Sequence, residues 1–279
     1  MTAPRSGVLL LLPCAAVLVS LFYLPQLFML LVSLGQRSTY GAVIYGIGAS
    51  NYLRALDPLY LSILGRSLLL ALETTAICLL LAYPVAYWLG RVVPAGWRNL
   101  LVTLIVLPFW TSFLVRLYAW MVLLRSEGVV NTLLGHAGLG GVELLYNHTA
   151  VLLGQVYGEL PFMITPLYVS IEKLDSALLE AAADCGASPL RAFLSIVIPQ
   201  TMPGIAAGCV LVFIPSLGAF LAPDLLGGGR TAYIGNLIQS QFAVARDMPF
   251  GAALSFLLSL VVVLLLLIFR RPLASTQSL

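Results

Sequence analysis

Six apolar blocks, each about 20 residues long or longer, divide this chain, and their length restricts the choice of fold more than any other feature. A helix rises about 1.5 Å per residue, so about 20 apolar residues cross a hydrocarbon layer roughly 30 Å thick. A soluble domain of 279 residues would instead carry its apolar positions as stripes on half-polar helices. The blocks place spans at about 8–34, 67–90, 99–124, 149–171, 204–222 and 251–269. The second, SLLLALETTAICLLLAYPVAYWLG, shows the character of the set. With 61% hydrophobic and 9% charged residues, and a mean hydropathy of +1.02, residues 1–279 read as a single integral membrane domain. Backbone polar groups in lipid must be bonded within their own segment, so an all-α fold is expected. Pro84, Pro108, Pro161, Pro166 and Pro215 fall inside spans and predict kinks, which neighbouring helices tolerate. The first block runs 27 residues from Val8 to Leu34, longer than the core of a cleavable signal peptide, and reads as a true span.

Composition excludes several functions. A net charge of +3, with no Lys/Arg run, gives no footprint for nucleic acid. Cys14, Cys78, Cys185 and Cys209 lie in or beside apolar runs without a CxxC spacing, and read as small apolar fillers. His136 and His148, twelve residues apart around a Gly-rich loop, read as surface histidines, so no metal site is expected. Gly227-Gly228-Gly229 is followed by Arg230, not by the Lys-Ser/Thr of a phosphate-binding loop, and reads as a turn. No catalytic constellation stands out. Arg5, the pair Arg91 and Arg98, and Arg270-Arg271 flank span ends on one side, which places both termini in the cytoplasm by the positive-inside rule.

That orientation puts residues 172–203 in the cytoplasm, including the polar stretch EAAADCGASPLRAFLSIVIP from Glu180 to Pro199. Asp175 is a good N-cap for a run of strong helix formers, and Gly186 suits a helix-ending left-handed residue. Ser188 and Pro189 then open a second helix, which Pro199 and Pro203 are expected to close. Leu174, Leu178, Ala181 and Cys185 form one apolar stripe, and Leu190, Phe193, Leu194 and Val197 another. Physical chemistry alone leaves two readings: helices lying flat at the membrane interface, or a knob that another protein grips.

The spacing resembles a known signature. Glu180-Ala181-Ala182, then Gly186, Ile196 and Ile198-Pro199, is similar to the EAA motif of binding-protein-dependent ABC importer permeases, with Ile198 where leucine is usual. LPFWTSFLVRLYAW (107–120), LPFMITPLYVSIEKLD (160–175) and PSLGAFLAPDLLGG followed by IGNLIQSQF (215–242) resemble the first permease subunit of spermidine/putrescine transporters. The resemblance implies a type I ABC importer permease fold in a bacterial inner membrane, importing polyamines or a related small nitrogenous solute, with residues 172–203 as a cytoplasmic coupling loop. It implies a second, homologous permease, a cytoplasmic ATPase dimer and an extracytoplasmic substrate-binding protein as partners. Glu180, Ala181, Ala182, Gly186, Ile196 and Pro199 would then contact the ATPase, and ATP and Mg²⁺ would sit on that partner, leaving this chain without a cofactor.

Charges within spans cost about 2.5–3.5 kcal/mol each at the membrane centre and need partners or a purpose. Glu73 lies about 9 Å from the outer end of its span and Arg116 about 12 Å from the outer end of its own, so the two are expected to pair. Glu159 lies about 15 Å deep with no cation evident at its level. It is protonated, bonded to Tyr157 or a hydroxyl, paired with the partner permease, or exposed to a cation in the pathway. Asp224 reads as a turn cap or as part of a cation-attracting mouth. Trp110 and Tyr118, with Phe109 and Trp120, form an interfacial belt or stack on amines. An ion-coupled secondary transporter of small amines is the alternative; it calls for repeated broken helices and paired carboxylates, which the sequence does not display.

Overall fold

The structure is a computed structural model that describes residues 13, 16–38, 41–138 and 141–274. The start of the expected first span and Cys14 lie outside the described residues. In chain order, helix α1 (Ala16–Ser33) is followed by a short antiparallel pair, β1 (Gln36–Arg37) and β2 (Val43–Ile44), and by α2 (Ser50–Ala55). Next come α3 (Pro58–Val92), α4 (Ala95–Trp110), α5 (Phe113–Leu124), α6 (Val129–His136) and α7 (His148–Glu172). The remainder is α8 (Ser176–Asp184), α9 (Pro189–Leu217), α10 (Leu221–Gly227), α11 (Ile234–Ala243) and α12 (Met248–Ala274). Five of the helices are long and apolar enough to cross a membrane, and six spans result if the bent pair α4–α5 counts as one.

Three spans differ from expectation. The second span begins not at 67 but at Pro58, whose fixed φ suits a helix start. The third, expected to be continuous over 99–124, breaks with an 86° bend between Trp110 and Phe113. Pro108 cannot donate a helix hydrogen bond; the chain tightens into a 3₁₀ turn over Leu107–Trp110 and becomes extended at Thr111 and Ser112. The fifth does not begin near 204, since Pro199 and Pro203 fail to end the preceding helix. A wide π turn at Phe193–Val197, closed by the Ile198 N–H donating to the Phe193 carbonyl, carries α9 through both prolines to Leu217. Span five therefore ends at Leu217, short of the expected 222. Pro84, Pro161, Pro166 and Pro215 lie within unbroken helices.

The chain forms two compact units, Met1–Ser62 with Leu237–Val261, and Ile63–Asn236 with Val262–Leu279. In the first, Asn51 Nδ2 donates to the carbonyls of Ser33 (2.9 Å) and Gly35 (2.8 Å), tying α2 to the end of α1. Arg54 donates to Asp247 at 2.9 Å and lies 3.9 Å over the Phe250 ring, while Asp247 also accepts from the Phe250 N–H at the start of α12.

In the second unit, α7 and α9 pack along their length through small residues. A Cβ on Gly204 would stand 2.5 Å from Ser170 Cβ and 2.7 Å from the Pro166 carbonyl oxygen, so only glycine permits this approach. A Cβ on Gly208, one turn on, would meet the Met163 sulfur at 2.6 Å. Such small-residue contacts are how helices approach closely in lipid. Two apolar clusters result. Cys78, Ala82, Leu167, Ile171 and Val212 belong to one, and Leu70, Leu117, Val151, Ala222 and Leu226 to the other. Buried polar residues fall between them along each helix: Thr74 on α3, Gln155 on α7 and Ser216 on α9.

Candidate functional site

The helix-turn-helix of α8 and the start of α9 forms as its sequence dictates. Asp175 Oδ1 accepts from the Ala177 N–H (3.0 Å), capping α8. At the other end the Ala187 N–H donates to the Ala182 carbonyl and the Gly186 N–H to the Ala183 carbonyl, both at 2.9 Å, with Gly186 at φ +77°. This pair of hydrogen bonds over a left-handed residue is a Schellman cap, which satisfies carbonyls that a helix end leaves unpaired. Ser188 Oγ accepts from the Arg191 N–H at 3.4 Å, and Pro189 opens the next helix.

The knob is anchored at its base and free at its tip. Arg91 donates to the Leu174 carbonyl at 3.0 Å, and Leu174 itself is buried. Phe193 packs edge-on against Tyr83 and Tyr87, with centroids 5.6 and 5.9 Å apart, and the Tyr83 and Thr201 hydroxyls share a 2.9 Å hydrogen bond. Glu180, Ala181, Gly186 and Pro199 are exposed, while Ala182 and Ile196 are half-buried. Among the described residues Glu180 has no ion-pair partner. Of the two apolar stripes, Leu174, Phe193 and Val197 turn inward; Leu178, Leu190 and Leu194 remain exposed on the chain as it stands.

Within the membrane region the expected Glu73–Arg116 pair does not form. Glu73 Oε2 instead lies 2.6 Å from His148 Nε2, and His148 Nδ1 lies 2.8 Å from the Tyr233 hydroxyl. Nearby, the Ile234 N–H donates to Ser67 Oγ at 2.7 Å, which fixes the start of α11 against α3. His148 is the first residue of α7, so depth counting extended to the histidines would have set it level with Glu73 near one end of the span. The reading of His148 as a lone surface histidine is thereby corrected; His136 remains exposed, its Nδ1 2.7 Å from the Thr132 carbonyl oxygen.

Arg116 takes different company because the α4–α5 break redirects it. Its guanidinium lies over the rings of Phe109 (4.7 Å), Phe113 (5.4 Å) and Tyr157 (5.9 Å), within coulombic reach of Glu159. A cation does therefore stand near Glu159, contrary to the expectation from depth along straight helices. Arg116 Nε and Glu159 Oε2 are both buried and have no hydrogen-bond partner among the described residues, as is the case for Thr74 Oγ1, Gln155 Nε2 and Ser216 Oγ. Gly158 lets Phe113 press on α7, since a Cβ there would meet the ring at 2.7 Å. Trp110 is 85% exposed and Tyr118 is exposed; neither is among the rings over Arg116. Asp224 is exposed in the first turn of α10, beyond the end of α9.

Comparison with known proteins places this architecture. Residues 79–272 match the model of the family described as binding-protein-dependent transport system inner membrane component. The spermidine/putrescine transport system permease protein PotB of Escherichia coli is 45% identical over 256 residues, 91% of this chain and 93% of that protein. PotB of Haemophilus influenzae is 42% identical over 250 residues, covering 89% and 87%. Among solved structures, that of a bacterial alginate ABC transporter in complex with alginate pentasaccharide-bound periplasmic protein superposes with a TM-score of 0.77 at 20% identity, over 96% of this chain and 94% of that one. The chain belongs to the family of binding-protein-dependent transport system inner membrane components, and its fold is that of the ABC importer permeases. It is a multi-pass membrane permease subunit.

Proposed function

We propose that this chain is one of two homologous permeases in an ATP-driven importer of polyamines, spermidine and putrescine being the nearest candidates. The observation that carries the substrate class is the 45% identity to a spermidine/putrescine permease across nearly the whole of both chains. An extracytoplasmic protein delivers the amine, and a cytoplasmic ATPase dimer, holding ATP and Mg²⁺, supplies the energy; this subunit hydrolyses nothing. Both termini lie in the cytoplasm.

The exposed knob supports the mechanical part of this reading. Its tip carries Glu180, Ala181 and Gly186 with unpartnered Leu178, Leu190 and Leu194, while Arg91, Phe193 and the unbroken α9 tie it to the membrane helices. A push on the knob is therefore delivered into α9 and, through Gly204, into α7. Ala182, Ile196 and Pro199 complete the ATPase-facing set. Inside the membrane, Glu159 faces the amine path, Asp224 belongs to its mouth, and the exposed rings of Trp110 and Tyr118 line the approach.

Uptake of radiolabelled putrescine and spermidine into proteoliposomes tests this. The vesicles hold this chain with its co-encoded permease, ATPase and binding protein. ATP-dependent accumulation of either amine is expected. Accumulation of neither by a complex that hydrolyses ATP would remove the polyamine assignment, and accumulation without ATPase would restore an ion-coupled carrier.

A further inference from the structure

We propose that Arg116 is the tethered occupant of an amine site: its guanidinium fills a cage of Phe109, Phe113 and Tyr157, with the Glu159 carboxyl at longer electrostatic range, and one cationic end of a travelling polyamine displaces it there. The inference rests on the polyamine reading above and adds a site and a gate to it.

Ring faces attract cations by their quadrupoles, and a carboxylate at membrane depth supplies the counter-charge. Three rings within 6 Å of one cation, with an acid in reach, are the recognition set for an alkylammonium as much as for a guanidinium. An arginine side chain is itself a methylene chain ending in a cation, which is the chemistry of one end of a polyamine. The set is assembled from separate elements: Phe109 on the 3₁₀ turn before the break, Phe113 and Arg116 on the first turns after it, and Tyr157 and Glu159 on α7.

The pair has the marks of a replaceable contact. A fixed arginine–carboxylate pair uses its planar fork in bidentate hydrogen bonds. Here Arg116 Nε and Glu159 Oε2 are both buried without partners, so ring faces and long-range attraction hold the guanidinium in place. The cage also has an open edge, because Tyr157 is exposed on this chain. Arg116 occupies the cage when no substrate is present, and it refills the cage behind a substrate cation as that cation passes.

Equilibrium binding of radiolabelled spermidine and putrescine to the assembled permease–ATPase complex in nanodiscs, without the binding protein, tests the displacement. Arg116→Gln is expected to bind amine at least about tenfold more tightly than wild type, because the internal competitor is gone. Adding Glu159→Gln should abolish that gain, and Arg116→Lys, which keeps a tethered cation, should match wild type. An assembled Arg116→Gln complex with no tighter binding overturns the proposal. Arg116→Met serves if the glutamine variant does not assemble; failure of both to assemble identifies Arg116 as a structural cation and also overturns it. Wild-type uptake measured alongside separates the two levels. Uptake by wild type with no gain in Arg116→Gln sinks the tethered occupant alone, whereas uptake of neither amine sinks the polyamine reading on which it rests.

Discussion

Gly204 and Gly208 sit one turn apart on the same face of α9, yet their neighbours differ in how far they can yield. A methyl group at 204 meets Ser170 Cβ and a backbone carbonyl, neither of which moves without shifting α7. At 208 it meets the far end of a methionine, which can take another rotamer. Gly204→Ala is therefore expected to cost about 1–3 kcal/mol by overpacking and to lower the melting midpoint of the purified complex, with Gly208→Ala close to wild type. Equal melting midpoints would show that the helices are not in this contact. Tyr233 makes a pH prediction. Burial, reinforced by the Glu73 charge, raises its phenol above the ordinary value of 10.0. The folded state holds that proton more tightly than the unfolded chain does, so the associated stability is complete below pH about 10 and declines as pH rises through the raised value. Tyr233→Phe should flatten that alkaline decline in a pH series of melting curves; an unchanged slope would show that the phenol does not contribute.

At the scale of elements, the knob was the most legible part of the chain and the broken third span the least. Asp175, Gly186, Ser188 and Pro189 are local signals whose partners lie within five residues, so their chemistry fixes the α8 turn without help from the rest of the fold. Gly186 illustrates the consequence. Nothing lies within 4 Å of a Cβ placed there, so its constraint is conformational: an L-residue at φ +77° costs about 1–2 kcal/mol. Gly186→Ala is expected to leave membrane insertion intact and to reduce ATP-driven uptake several-fold through a reshaped turn, read by comparing uptake with the amount of complex recovered. Full uptake would show that turn geometry is not used. Span ends were less legible, because a helix within a membrane protein need not stop where hydropathy falls: α3 starts at Pro58 and α9 passes through Pro199 and Pro203 by means of a π turn. The site inside the membrane was half legible. Glu73, Arg116 and Glu159 stood out as costly charges, but their pairing depended on a bend at Pro108 that no straight-helix depth count contains, and on His148, whose partner lies 75 residues away in sequence.

For the whole molecule, the proposed function and the continuous helix from the knob through α9 carry the same prediction: motion applied at the knob moves α9 and α7. On that proposal the motion enters at the exposed tip, and Glu180 is its most useful probe because it is exposed and has no ion-pair partner among the described residues. Reversing its charge should leave folding and insertion untouched while repelling whatever the tip grips. The decisive measurement is ATP-dependent amine uptake by the complex carrying Glu180→Arg, with ATPase retention on the purified complex followed in parallel. Loss of uptake together with loss of the ATPase from an otherwise intact, membrane-inserted permease pair is the predicted result. Normal uptake with the ATPase still bound would contradict the coupling role of the knob.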